Sequence, residues 1–216
     1  MALIYPSLIS ADILNLETQI KTLDPYCPGY HLDVMDNHFV PNLTWGPSFI
    51  EAISSKTTRQ LWVHLMVDNP TVWIEKLSLP PKTIASFHIE TINDTSSIIN
   101  LIQKKNWLTS IAISPKTPVA KLLPYAKLID QVLVMSVNPG FSGQQFMEDS
   151  KAKVQALADY RTKNGLNFKI AMDGGISADN IQELTALGVD HFAVAHAIFG
   201  QPDPVTALQE LEQLAK

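Results

Sequence analysis

Cysteine is almost missing from this chain. Cys27 stands alone, so no intramolecular disulfide and no cysteine-based zinc site is available. Arginine is nearly as scarce, with only Arg59 and Arg161. An anion bound here must therefore be held mainly by backbone N–H groups, lysine or histidine. Nine glycines exclude a collagen-like repeat. Positive charge is in deficit, 16 Lys+Arg against 21 Asp+Glu for a net charge of −5, which argues against a broad nucleic-acid-binding face. No run reaches the ~18 continuous apolar residues of a membrane span. The opening MALIYPSLIS lacks the basic head and long apolar stretch of a secretory signal. A reducing, cytoplasmic setting without membrane association is the expectation.

What the chain does have is core material. Hydrophobic residues make up 46% and charged residues 17% of 216 positions, which excludes a disordered chain and suits one domain rather than two. Short apolar, β-branched runs begin at Leu3, Tyr30, Gln60, Thr83, Leu108, Gln131, Phe168 and His191. Amphipathic segments separate or follow them, including ADILNLETQIKTL, PTVWIEKL, DTSSIINLIQKK, SKAKVQALADYRTK, SADNIQELTALG and DPVTALQELEQLA. The last opens with Asp203 as a cap and Pro204 at the first helical position. Strict alternation of strand and helix predicts a parallel sheet covered by helices. Eight such units over residues 1–216 predict a single-domain (β/α)8 barrel. An open doubly wound sheet is the alternative, but the first strand leads into SADILN rather than a G-x-G-x-x-G turn.

A barrel gathers its chemistry at the C-terminal ends of its strands. The second strand ends with His31 and Asp33, which share one face because strand side chains alternate. The third ends with His64 and the seventh with Asp173. Buried histidine and aspartate are costly unless paired or bound to a metal. Two His and two Asp suit one divalent cation, zinc first, with iron, manganese or cobalt as alternatives. His88 and Glu90 end the fourth strand and read as supporting groups, while Asp36 and His38 lie in the following loop, solvated or hydrogen-bonded there. Met35, Met66 and Met135 sit at or beside inward positions, as core filling or as a soft apolar wall. Four of the nine glycines fall in two loops, Gly140 and Gly143 after the sixth strand and Gly174 and Gly175 after the seventh. Glycine lets a backbone approach an anion closely, and this side of such barrels often binds phosphate.

Taken together, these segments resemble the ribulose-phosphate 3-epimerase family along essentially the whole chain. Pro6-Ser7-Leu8-Ile9-Ser10-Ala11-Asp12 is similar to its opening loop, and the stretch from His31 to Asn42 to its longest signature. His64-Leu65-Met66, the stretch from Val134 to Phe141, and Met172-Asp173-Gly174-Gly175 follow in the family's order. The resemblance implies that His31, Asp33, His64 and Asp173 bind the metal, with Asp33 and Asp173 as the acid/base pair. It implies that Ser7 and His64 contact substrate and that the three methionines line the reaction site. Gly140, Phe141, Ser142, Gly143, Gly174 and Gly175 would hold the phosphate, with Ala195 and His196 beside it. The implied reaction interconverts D-ribulose 5-phosphate and D-xylulose 5-phosphate through a metal-stabilised enediolate. It needs no organic cofactor, and the implied assembly is a homo-oligomer.

The departures from that pattern cluster at the phosphate end. Ala195-His196 replaces the family's Gly-Ser, and Ser142 interrupts its Gly-Phe-Gly-Gly loop. An alanine at a position needing positive φ would be strained. Asn37, which tolerates left-handed backbone, and Lys116, which would add charge near the barrel mouth, replace small residues. Two alternatives therefore accompany the main reading. One is a 3-epimerase of another ketose or ketose phosphate; the other is a sugar-phosphate-binding protein without turnover.

Overall fold

Apart from the exposed first residues Leu3 and Lys169, the strands of this protein are buried on both faces, and that burial dictates its architecture. In the computed structural model, which describes residues 2–216, the strands are β1 (Leu3–Pro6), β2 (Gly29–Met35), β3 (Gln60–Met66), β4 (Ile84–His88), β5 (Leu108–Ile113), β6 (Gln131–Met135), β7 (Lys169–Asp173) and β8 (His191–Val194). The helices are α1 (Leu16–Leu23), α2 (Pro47–Ser54), α3 (Pro70–Lys76), α4 (Thr95–Lys104), α5 (Ser150–Lys163), α6 (Ile181–Ala186), α7 (His196–Phe199) and α8 (Pro204–Leu214). All strand pairings are parallel, from β2 through β3 to β8 and on to β1. A parallel bridge between Ser7 and His31 joins the two ends of the sheet. The result is the (β/α)8 barrel expected from the sequence. Among the described residues no helix is long and apolar enough to cross a membrane.

Alternation sorts each strand into two environments. Leu32 and Val34 of β2, Val63 and Leu65 of β3, and Val132 and Val134 of β6 face outward into the apolar layer beneath the helices. Tyr5, Trp62, Ile84, Ala112, Leu133, Met135, Ala171 and Ala193 pack inside the barrel. Such filling makes the barrel interior a core rather than a pore. Trp62 is its largest plug: fully buried, it meets Tyr5 edge-on at 5.3 Å and donates its ring N–H to Ser86 Oγ at 2.7 Å.

Helix termini follow local chemistry. Asp94 caps α4 by accepting from the Ser97 N–H at 3.1 Å, and Asp203 caps α8 through the Val205 N–H at 3.0 Å. Below those caps, Ile98, Ile99 and Ile102 of α4 and Leu208 and Leu211 of α8 are buried. Two elements differ from the sequence expectation. The fifth unit has no α-helix: the chain passes from β5 to β6 through 3-10 turns at Val119–Lys121 and Leu123–Tyr125. Pro115, Pro118 and Pro124 account for this, because proline removes donors and breaks a helical ladder. Conversely, α2 lies outside the amphipathic segments named above; its signal is Pro47 at the first helical position after Gly46.

One ion pair ties the outer layer to the barrel. Arg161 of α5 donates to Asp190 Oδ2 at 2.5 Å and to the Phe168 carbonyl at 3.0 Å, and Asp190 Oδ2 also accepts the Ile170 N–H at 2.9 Å. Burial alone would raise the Asp190 carboxyl, but the Ile170 N–H and the Arg161 guanidinium hold it below its ordinary value. A depressed carboxylate stabilises the fold above its unfolded pKa of about 3.9, and that contribution is lost as pH falls through the folded value. Asp190→Asn should therefore destabilise the protein by about 1–2 kcal/mol at neutral pH. Urea denaturation across a pH series should show the gap to wild type narrowing under acid conditions.

Candidate active site

Strand register brings the expected residues into one layer at the C-terminal mouth. Asp33 pairs with His64 across β2 and β3, Met35 with Met66 one step higher, and Met135 with Asp173 across β6 and β7. The ligand atoms of His31, Asp33, His64 and Asp173 lie within 4.8 Å of one another. His31 and His64 are fully buried and Asp33 is 5% exposed.

Hydrogen bonds orient this cluster. Asp33 Oδ2 accepts from Ser7 Oγ at 2.5 Å and lies 3.1 Å from His31 Nδ1. The edge of the His31 ring rests against Trp62 at 4.7 Å between centroids. His31 Nε2 and His64 Nδ1, though buried, have no hydrogen-bond partner. They lie 3.9 Å and 3.3 Å from Asp173 Oδ2. On its other side His64 meets His88, Nε2 to Nε2, at 2.9 Å.

Charge balance explains what these groups do to one another. Burial would raise the Asp33 carboxyl, but His31 and then His64 hold it well below the usual carboxylate range. Burial works against a charged His64, yet Asp173 and Asp33 push its imidazole up to about 9. Two carboxylates in so dry a place demand positive charge. A proton on His64 is one source; a divalent cation between two unpartnered ring nitrogens and two carboxylates is another. The donor set fits zinc and its neighbours, since it offers mixed nitrogen and oxygen ligands at tetrahedral count. His88, beyond His64, is driven down to about 4 by burial. Burial would raise Glu90, but the bond to His88 holds it at about 2.

Above the cluster opens a cavity of about 320 Å³. Asp33, Asp173 and the three methionines Met35, Met66 and Met135 form its floor and wall. Gly140, Phe141, Ser142, Gly143, Gly174 and Gly175 line one side, and Ala195 and His196 line the end. Two of these glycines have no substitute. Gly174 has φ +113°, and a Cβ there would come within 2.4 Å of Val137; Gly175 has φ +63° and abuts the Phe146 backbone. The glycine loop after β6 is stapled by Gln144 Nε2, which donates to the Asn138 and Phe141 carbonyls at 2.7 and 2.8 Å. Asn42 Nδ2 reaches across to the Gly140 carbonyl at 2.7 Å and ties in the loop after β2. Ser136 Oγ donates to the Gly174 carbonyl at 2.5 Å.

Several expectations look different in three dimensions. Ser7 and His31 stand behind Asp33 and orient it, and His64 lies beside it with Nδ1 3.6 Å from Oδ1. Ala195 has φ −101°, so this alanine needs no left-handed backbone. Asn37 does adopt φ 59°. Lys116 is exposed and is not part of the cavity wall, so it adds no charge there. The fixed loop Asp36–His38 is held by Asp36, whose carboxylate accepts the His38, Phe39 and Asp68 N–H groups. The roles of Asn42 and Ser136 have no local sequence signal, because their partners Gly140 and Gly174 lie on loops distant in sequence.

Comparison with known proteins agrees with this geometry. Residues 3–199 match the model of the ribulose-phosphate 3 epimerase family. The ribulose-phosphate 3-epimerase of Treponema pallidum is 39% identical over 90% of this chain and 89% of its own length. That of Escherichia coli K12 is 35% identical over 99% and 96%. The chain belongs to the ribulose-phosphate 3-epimerase family. It is an isomerase. Among solved structures, KGPDC from Streptococcus mutans superposes with TM-score 0.75 at 12% identity over 99% of this chain and 97% of its own. Orotidine 5'-monophosphate decarboxylase from Sulfolobus solfataricus does so with TM-score 0.67 at 10% identity over 100% and 98%. At such low identity these likenesses concern the barrel alone.

Gly174→Ala drives a methyl group into Val137 and forces a positive φ on alanine, so it should destabilise by about 1–3 kcal/mol. Adding Val137→Ala should recover part of that loss, making the double variant less destabilised in urea than the sum of the singles.

Proposed function

We propose that this epimerase interconverts D-ribulose 5-phosphate and D-xylulose 5-phosphate by inverting C3, with a divalent cation bound by His31, Asp33, His64 and Asp173. One observation carries the reading. Two carboxylates from strands three steps apart around the barrel line the same cavity, with the unpartnered nitrogens of His31 and His64 beside them. Those nitrogens fit a cation, and the all-N/O donor set favours zinc. When bound, such a cation supplies a Lewis acid for negative charge developing on substrate oxygen.

The chain's own groups supply the rest. The C3 proton is acidic because it adjoins the ketone. Asp33 lines the cavity as a carboxylate, the form that accepts that proton. Ser7 and His31 hold Asp33 through Oδ2 and so fix the direction of its carboxylate. Asp173 returns a proton to the other face of the planar enediolate, and the two exchange roles in the reverse direction. Met35, Met66 and Met135 surround the reacting carbon with apolar surface that excludes water. The phosphate fits against the backbone of Gly140, Gly143, Gly174 and Gly175, whose conformations let N–H groups face an anion. Phe141 and Ser142 flank it, and Ala195 and His196 close that end.

The test follows deuterium from solvent into C3 of ribulose 5-phosphate, together with the appearance of xylulose 5-phosphate. Wild type should do both, and Asp33→Asn and Asp173→Asn should each lower the rate by about 10²–10⁴-fold. No exchange by folded, zinc-loaded wild type would overturn the reading and direct the same assay to unphosphorylated and six-carbon ketoses. Binding of ribulose 5-phosphate without any exchange would instead identify a sugar-phosphate-binding protein.

A further inference from the structure

Behind the cluster stands a row of side chains that the reaction does not touch. Glu90 Oε2 lies 3.2 Å from His88 Nδ1, and His88 Nε2 lies 2.9 Å from His64 Nε2. Beyond His64, its Nδ1 faces Asp173 and Asp33 without a hydrogen-bond partner. His64 and His88 are both fully buried, so no solvent proton rearranges their bonds freely.

The carboxylate sets the proton positions along this row. An ionised carboxylate only accepts, so His88 Nδ1 carries the proton it shows to Glu90, with Ser114 Oγ at 3.4 Å as a second, weaker neighbour of that nitrogen. A neutral imidazole has one ring proton, which leaves His88 Nε2 as a lone pair. That lone pair can only accept from His64 Nε2–H. His64 Nδ1 is then free to donate its electrons to a cation. Were His88 protonated on Nε2 instead, His64 Nε2 would have to accept, and an N–H would point into the metal site.

We infer that Glu90 and His88 are positioning residues, a relay that holds His64 in the tautomer whose Nδ1 lone pair faces the metal cluster. The inference rests on the metal-centre reading above. It goes further by assigning a task to two residues outside the ligand set. Ligating histidines are commonly oriented through their second ring nitrogen; here the orienting group is itself a histidine, and the decision is made two residues away.

Glu90 is held firmly for this task. Its other oxygen, Oε1, accepts the Ser114 N–H at 2.8 Å. The loop carrying Ser114 is pinned by Lys153 of α5, whose ammonium reaches the Ser114, Pro115 and Thr117 carbonyls at 2.9, 2.7 and 2.7 Å. This arrangement makes Glu90→Gln informative. The Ser114 N–H needs an acceptor, so the amide oxygen takes the Oε1 position and the NH2 group faces His88 Nδ1. The NH2 donates where the carboxylate accepted. His88 must move its proton to Nε2, and His64 must turn an N–H toward the cation.

Zinc affinity, by chelator competition, and the His88 tautomer, by nitrogen NMR of the zinc-loaded protein, test the relay. Wild type should bind zinc with His88 protonated on Nδ1. Glu90→Gln should bind zinc about 10–100-fold more weakly with the His88 proton on Nε2. Its metal-free thermal unfolding should stay close to wild type. Glu90→Asp, which keeps an acceptor, should recover part of the affinity. Wild-type zinc affinity in Glu90→Gln, or an Nε2–H tautomer for His88 in the wild-type spectrum, overturns the relay while leaving the metal centre intact. Failure of wild type to bind zinc overturns the metal centre and the relay with it. If Glu90→Gln does not fold, the wild-type spectrum still decides the tautomer.

Discussion

Two carboxylates and two imidazoles share one dry layer of the barrel, and that burial of charge is the constraint on which the rest of the site depends. Asp33 and His64 face each other in strand register, with His31 one step below and Asp173 across the mouth. Isolated, each ion would be too costly to bury. Together they exchange charge: His31 and His64 keep Asp33 ionised, and the carboxylates raise His64. The cluster nonetheless retains two buried ring nitrogens without partners. Buried polar atoms are rarely left so, and when they are, a ligand is a standard reason.

Around this layer the fold assigns separate tasks to separate parts. The floor is rigid: Trp62 fills the barrel beneath His31 and is itself fixed by Ser86. The wall is soft, with Met35 and Met66 packed beside Val40. The rim is backbone, where glycine loops are locked by Gln144, Asn42 and Ser136 rather than by charged side chains. A chain with two arginines needs such a rim to receive an anion. Rigid floor, apolar wall and polar rim suit proton transfer at carbon, which needs fixed carboxylates and little water.

Much of this was legible in the sequence because strand periodicity is strict. His31 and Asp33 share a face by spacing alone, and the strand ends carrying His64 and Asp173 follow from the rhythm of apolar runs. The parallel sheet was legible for the same reason, since strands buried on both faces leave long hydrophobic runs. What escaped is what depends on loops meeting. The hydrogen bond from Ser7 to Asp33 is one such meeting, made between the end of β1 and β2. Lys116 reads as a charge at the mouth, but its loop points it to solvent. The prolines at 115, 118 and 124 could have warned against a helix between β5 and β6. No local signal marks Asn42 as the residue that ties two loops together, because its partner Gly140 lies 98 residues away.

The central claim is that the buried cluster holds one divalent cation through all four side chains. Anomalous diffraction at the zinc edge from crystals of the zinc-loaded protein tests it most directly. The account predicts a single strong peak among His31 Nε2, His64 Nδ1 and one carboxylate oxygen each of Asp33 and Asp173, at bond lengths of about 2.0–2.2 Å. A peak elsewhere in the molecule, or a cluster that stays without a cation in the presence of excess zinc, would contradict it.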